Sequence, residues 1–515
     1  MEESSRPSER PRLLGSEWLG SYLSPNEVKK MLPLAIIFFM VLFNYTILRN
    51  TKDVLIVTDA RSGAETIPFL KTYVLIPGTI VFFAVYVRLC SVCSQAAIFY
   101  ISSVFFLVFF GAFAFVLYPM KDLIHPNAFC DWLLEVLPSS FLGPVAMIRL
   151  WTFSLFYLMA ELWGSVVLSL LFWSFANQVC NVAEAKKFYP LFGMFANVAL
   201  IVSGNFVTYV AEMRKAAPVQ EGTDPWQLSL MYLITACLFS GACMIAAFAY
   251  MQRNVVNDPN LVEQTETKKA KTKSNMSMME SIRYLMASPY ILDLGVIVIG
   301  YGMAINLIEV TWKSRLKLQY PSPNDYASFM GMYSSATGVV TIVLMLVGQR
   351  FLAWFGWGFT ALCTPVVCLA TGVCFFSLIL FPSLWSPLAA TMGETALMLS
   401  VLVGTAQNVG TKATKYGMFD PTKEMAYIPL DAEQKTKGKA AIDVIASRLG
   451  KSGGSLIQQF LILFLGTLSA SAPYIGIFLF GITLLWIRAV IRLNVQFTAL
   501  TAKKPNSPPN IEMHA

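Results

Sequence analysis

The stretch that decides the fold is residues 30–57, KMLPLAIIFFMVLFNYTILRNTKDVLIV. From Met31 to Leu48 it carries no charged side chain, and its apolar residues do not alternate with polar ones. A membrane-crossing helix needs roughly 20 such residues. Lipid offers bare peptide groups no hydrogen-bond partner, so a spanning segment is a helix or part of a closed barrel. Without period-two alternation, the barrel is excluded. The run then ends on Arg49, Lys52 and Asp53, charges that a lipid-facing segment would avoid.

The pattern repeats along the chain. Hydrophobic residues make up 56% of the 515, and charged ones only 13%, against about 25% in soluble domains. Apolar runs place spans at 30–50, 67–88, 96–118, 146–178, 188–211 and 228–250, and again at 289–312, 327–349, 358–381, 388–412, 440–466 and 472–494. The fold class is therefore an all-α polytopic membrane protein of about twelve helices. A polar stretch with Lys268, Lys269, Lys271 and Lys273 divides them into two sets of six. The expected organisation is a tail over 1–29, a half over 30–250, a basic linker over 251–288, a second half over 289–494 and a tail over 495–515.

Basic residues orient the bundle. With the amino terminus in the cytosol, the inside loops carry Lys186, Lys187, the 268–273 run, Arg350, Lys423, Lys435, Lys437 and Lys439, and the tail adds Lys503 and Lys504. The outside loops after spans 3, 5, 9 and 11 carry only Lys121, Arg214 and Lys215. This is the positive-inside distribution, with both termini cytosolic. Two basic clusters depart from it, and they correspond. Arg49 and Lys52 follow the first span of one half; Lys313, Arg315 and Lys317 follow the first span of the other. Asn44 and Asn306 precede them at similar spacing. Such weak internal repetition is typical of transporters built from duplicated halves, with the substrate between them near mid-membrane.

The first residues mix Glu2, Glu3 and Glu9 with Arg6, Arg10 and Arg12 and lack an apolar stretch. They read as a cytosolic tail and not as a signal or transit peptide, which points to a bacterial inner membrane. Most of the nine cysteines lie inside apolar runs, and the Cys90–Cys93 pair has no second ligand pair nearby for a metal.

An ionised side chain in a span costs about 2.5–3.5 kcal/mol, so each one invites a functional reading. Tyr45, Arg49 and Lys52 share one face of the first helix, with Asp53 beside them. Tyr157 and Glu161 lie one turn apart in the fourth, and Glu309 and Lys313 one turn apart in the seventh. Arg448 and Lys451 enter the eleventh beside Gly450 and an SGGS string. Interhelical ion pairs are one reading of these charges. The other is a binding cavity, since the cations outnumber the acids available to them. Surplus cations call for an anion, and phosphate suits both the guanidinium fork and the compact ammonium. A helix break at Gly450–Gly454 would free peptide N–H groups for the same purpose.

Enzymatic readings fail. Gly450-Lys451-Ser452 is not a P-loop, because Ile445 stands where the first glycine belongs and no strand precedes it. The formal GxSxG at 450–454 lacks a strand and a usable histidine. The only histidines are His125 and His514, and there is no HExxH. Neither a metal nor a cofactor is expected, nor a nucleic-acid partner.

These charged segments are also where the chain is recognisable. LFNYTILRNTKDVL (42–55), IPFLKTYV (67–74), ELWGSVV (161–167), EAKKFYPLFG (184–193), INLIEVTWKSRLK (305–317), FDPTKEMAYIPLD (419–431) and KGKAAIDV (437–444) resemble the ATP/ADP translocase family of plastids and obligate intracellular bacteria. The resemblance runs from Pro33 to Phe497. It implies a major-facilitator-like arrangement of the halves and exchange of external ATP for internal ADP, with phosphate accompanying ADP outward. A relative that imports nucleoside triphosphates with protons is the alternative it leaves open. Intramembrane Lys and Glu residues matter in this family; Lys52 matches the family's lysine directly, while Glu161, Glu309 and Lys423 lie in its motifs.

The resulting expectation puts the nucleotide between the halves of a functional monomer. Lys52, Arg49, Lys451, Arg448 and Lys313 would take the phosphates. Glu161, Glu309, Asp53 and Lys423 would gate or pair charge. Adenine would lie against Tyr45, Tyr157, Phe156 or Met159, with Asn44 or Asn306 at its amino edge.

Overall fold

The computed structural model describes residues 24–216, 224–258, 288–442 and 446–502. The amino-terminal tail before Ser24, the Lys268–Lys273 run, Ile445 and the tail lysines 503 and 504 lie outside the described residues. Among those described there is no strand.

The first half comprises α1 (Pro25–Val57), α2 (Thr66–Val92), α3 (Gln95–Leu117), α4 (Trp151–Val179), α5 (Val182–Ala216) and α6 (Pro225–Val256). The second comprises α7 (Pro289–Gln319), α8 and α9 (323–355 and 357–380), α10 (Ala396–Met425), α11 (Ser447–Leu465) and α12 (Leu468–Ala502). Among the described residues nine helices are long and apolar enough to cross a membrane, and a tenth if Pro382–Thr391 and Ala396–Met425 count as one bent span. Pro323–Leu380 is 58 residues, about 87 Å at 1.5 Å per residue, far beyond a ~30 Å hydrocarbon core. It breaks at Gly356, whose φ of 75° only glycine adopts cheaply. That break makes two spans of one, and α11, which is not among those nine, completes the twelve.

Local chemistry sets the helix starts. Ser24 and Glu27 cap α1 reciprocally, at 3.2 and 2.7 Å, with Pro25 at the first position. Asp224 accepts from the Trp226 N–H at 2.9 Å before α6, and Thr395 from Met398 at 3.1 Å before α10. α1 runs on to Val57 and α7 to Gln319, so both basic clusters that break the charge rule lie on transmembrane helices and not in loops. α11 differs from expectation. It runs unbroken through Gly450, Gly453 and Gly454, and these glycines admit α7: a Cβ on Gly450 would lie 3.2 Å from Gly302 Cα, and one on Gly454 3.0 Å from Asn306 Cβ. They free no peptide groups for an anion.

The halves meet chiefly along α5 and α8. A Cβ on Gly204 would lie 2.6 Å from the Gly331 carbonyl oxygen, and one on Gly331 2.5 Å from that of Gly204. Cross-half bonds run from Lys215–Asp325 (2.7 Å) and Ser328–Glu212 (2.6 Å) to Asn197–Met345. At the same end Lys317 donates to the Asp59 and Ser62 carbonyls, and Gln459 on α11 to the Pro68 carbonyl at 2.9 Å. The opposite ends are tied within each half, by Lys30–Glu184 and Lys187–Glu27 in the first and Trp357–Thr422 in the second. The bundle is thus sealed at the Val57/Gln319 end and held together separately at the Pro25/Pro289 end.

Candidate functional site

The charges of α1, α4 and α7 converge on one network beneath the sealed end. Lys52 is buried, with Nζ 3.2 Å from Asp53 Oδ1 and 3.0 Å from Glu161 Oε1. The same ammonium sits 3.8 Å from the ring centroid of Tyr157, a cation–π contact inside a low-dielectric site. Lys313 reaches back from α7 to Asp53 Oδ2 at 2.8 Å and to Glu309 Oε1 at 3.2 Å. Arg49 meets the same Glu309 oxygen at 3.3 Å from the other half. Asp53 and Glu309 therefore each hold cations from both halves.

Two further cations were not singled out from sequence. Lys412 on α10 is buried, donates to the Tyr333 hydroxyl at 2.7 Å and lies 3.6 Å from Glu309. Lys71 on α2 donates to Asn306 Oδ1 on α7. Among the described residues the network holds five cations (Arg49, Lys52, Lys71, Lys313, Lys412) and three carboxylates (Asp53, Glu161, Glu309), which leaves two positive charges in excess. Lys415, one turn beyond Lys412, is balanced by Asp420 at 2.6 Å.

π-helical segments flank these charges. Leu70–Leu75 carries Lys71, Trp163–Phe172 begins just past Glu161, and Lys415–Phe419 begins with Lys415. The wider turn rotates the side chains that follow, and such segments concentrate at functional sites.

The remaining expected residues divide. Tyr45 is half-buried against α4, its ring filling the space a Cβ on Gly164 would need. Asn44 faces α6 and donates to the Cys237 carbonyl at 3.0 Å. Phe156 packs on Phe110 and Phe113 of α3, and Met159 is buried. Asn306 bridges Lys71, the Lys451 carbonyl and Ser455. Arg448 and Lys451 are exposed on α11 and join no ion pair among the described residues. Lys423 lies about three turns past Lys412, 3.3 Å from Glu424, a carboxylate that also holds Lys439. The structure thus gathers Arg49, Lys52, Asp53, Tyr157, Glu161, Glu309 and Lys313, and sets Asn44, Phe156, Met159, Arg448, Lys451 and Lys423 elsewhere.

No group of three or more metal-ligating side chains occurs among the described residues. A cleft of about 250 Å³ near Cys90 and Cys93 lies within the first half, lined by Phe99, Phe175 and Phe248, away from the charges. What the network can do is hold a polyanion: its cations come from both halves, exceed their carboxylates, and are already stripped of most water.

Comparison with known proteins agrees with this chemistry. The family described as TLC ATP/ADP transporter matches residues 22–497. The chain is 50% identical to ADP,ATP carrier protein 1 of Chlamydia muridarum, over 94% of this chain and 92% of that one. It is 52% identical to the chloroplastic ADP,ATP carrier protein 2 of Arabidopsis thaliana, over 93% and 76%. Among solved structures, a bacterial homologue of the iron transporter ferroportin in an inward-facing state superposes with a TM-score of 0.54 over 93% of this chain and 99% of that one, at 13% identity. That likeness concerns fold alone, two six-helix halves arranged as in major-facilitator transporters.

Proposed function

The chain belongs to the TLC ATP/ADP transporter family, and on that premise we propose that it exchanges ATP for ADP across a membrane by alternating access between its halves. The observation that carries the reading is the excess of two positive charges in a buried network shared by both halves. Nucleotide phosphates supply the missing negative charge. Arg49, Lys52, Lys71, Lys313 and Lys412 take the phosphate oxygens, while Glu161, Glu309 and Asp53 hold those cations when the site is empty. Tyr45 gives adenine its stacking face. Arg448 and Lys451, exposed on α11, draw the polyanion in.

Strict exchange follows from the electrostatics. Sealing the site around unpaired cations costs several kcal/mol per ion, and every 1.4 kcal/mol is a factor of ten. The empty carrier therefore reorients slowly and the loaded one quickly. The basic loops favour a cytosolic location for both termini; in that orientation the sealed Val57/Gln319 end faces outward and this conformation opens inward. We place the protein in a bacterial inner membrane as a functional monomer, with its halves at 30–250 and 289–494 joined by a basic linker. Phosphate leaves with ADP and balances the charge moved.

The test is uptake of labelled ATP into proteoliposomes with and without ADP inside. Uptake that requires internal ADP and survives an uncoupler supports exchange. Equal uptake into empty vesicles that collapses with an uncoupler would establish a proton-coupled importer instead, with Glu161 or Glu309 as the proton carrier.

A further inference from the structure

Each half carries a short helix between its third and fourth spans, at the sealed end of the bundle: Asn127–Val136 in the first and Pro382–Thr391 in the second. Both are far too short to cross a membrane. Each turns one side outward and another inward. On the first, Phe129, Trp132 and Val136 share one face at helical spacing and are more than half exposed, at 52%, 54% and 64%. Cys130, one position round from Phe129, is fully buried, and Asp131 and Glu135 are exposed on a third face. On the second, Leu384 (71%) and Leu388 (46%) form the bare apolar face, extended by Phe381 and Met392. Ala389 and Trp385 turn inward, onto a small core with Leu378 and Leu399. Counted from Phe129 and from Leu384, the inward-facing residue stands at the same next position in both helices.

Orientation identifies what covers these faces. Pro382–Thr391 is bent by 90° from α10, which crosses the bilayer, so this helix lies across the direction of the span. Neighbouring elements of the first half also expose apolar side chains, Ile148, Trp151, Phe115 and Val116, as the lipid-facing wall of a bundle does. An apolar face rich in aromatic and aliphatic side chains, beside a polar face and parallel to the membrane, is the signature of a helix seated at the boundary between headgroups and acyl chains. We propose that Asn127–Val136 and Pro382–Thr391 are a pseudo-symmetric pair of interfacial helices. Each floats one half of the carrier at the lipid–water boundary of the sealed end. Their ligand is the bilayer itself, and because each half has its own, each is held at a fixed depth while the halves rock.

Tryptophan quenching in reconstituted vesicles tests the depth. The contribution of Trp132 is the difference between the parent and Trp132→Phe, and Leu384→Trp places a second reporter on the other helix. Two lipids serve as probes, one brominated near the headgroup end of its acyl chain and one near the methyl end, with iodide as the aqueous quencher. Both variants should keep parental nucleotide exchange, which shows that they fold. Both reporters should be quenched about twofold or more by the shallow bromines, less by the deep ones and little by iodide. Strong iodide quenching without lipid quenching would place the faces in water and overturn the proposal. Quenching by none of the three would mean that protein covers them, which overturns it equally.

Discussion

Asp53 is the most deeply buried carboxylate of the network. It is fully buried, holds Lys52 at 3.2 Å, and holds Lys313 of the opposite half at 2.8 Å, with side-chain exposures of only 1% and 4% for that cross-half pair. Asp53→Asn removes the charge and keeps the shape. Breaking a buried pair by removing one partner costs about 3–5 kcal/mol. The amide oxygen still accepts one hydrogen bond, so the lower end, about 3 kcal/mol, applies. Because the pair ties α1 to α7 beneath the sealed end, most of that loss falls on this conformation and little on one with that end open. About 3 kcal/mol corresponds to a shift of roughly a hundredfold in the ratio of the two. Ser62, 5% exposed and bonded through its carbonyl to Lys317, reports the seal. In Ser62→Cys vesicles, labelling by an impermeant maleimide, taken above the parent's background, should rise at least tenfold when Asp53→Asn is added. The thermal midpoint should fall as well. Unchanged labelling with an unchanged midpoint would refute the idea that Asp53 holds the halves together.

Lys71→Ala and Lys412→Ala should each raise the KM for ADP by about tenfold, the worth of one charge-assisted hydrogen bond, as measured by exchange in vesicles. Lys451→Gln, outside the network, should weaken nucleotide binding by less than Lys52→Ala does, as read by calorimetry. Gly331→Ala adds a Cβ 2.5 Å from the Gly204 carbonyl oxygen and 2.4 Å from Thr208 Oγ1; overpacking of this kind should cost about 1–3 kcal/mol of stability, visible as a lower midpoint. His125, in the connection between α3 and α4, bonds Thr152 at 2.7 Å, and burial pushes its imidazole below the usual value near 6.5. The folded state then takes up the proton less readily than the unfolded one. Stability should hold above about pH 6.5 and decline as pH falls through the lowered folded pKa, and His125→Gln should flatten that slope.

The bundle was legible because apolar run length is a direct consequence of bilayer thickness, and residues 30–57 alone announce it. The i, i+4 pairs Tyr157–Glu161 and Glu309–Lys313 were legible too, because one turn of helix fixes a shared face. Lys412 escaped notice through a boundary: with the tenth span ended at 412 it looks like a terminal cation, whereas α10 continues to Met425 and buries it. Lys71 is similar, a lysine near a helix start whose partner Asn306 lies 235 residues away. Asn44 could not be assigned a side from one helix, since only the packed bundle shows α6 beside it. The glycines of α11 suggested a break, but small side chains serve close helix approach equally well, and here α7 occupies the space.

The central claim is that surplus positive charge is what forbids the empty carrier to reorient. The direct measurement is labelled ATP uptake into vesicles containing no nucleotide, by the parent and by a Lys71→Gln, Lys412→Gln double variant, at saturating ATP. The substitutions bring the network from two positive charges in excess to balance. Uptake near background for the parent and clear uptake for the variant is the predicted result. A variant that still exchanges ATP for internal ADP, yet takes up nothing into empty vesicles, would contradict the account.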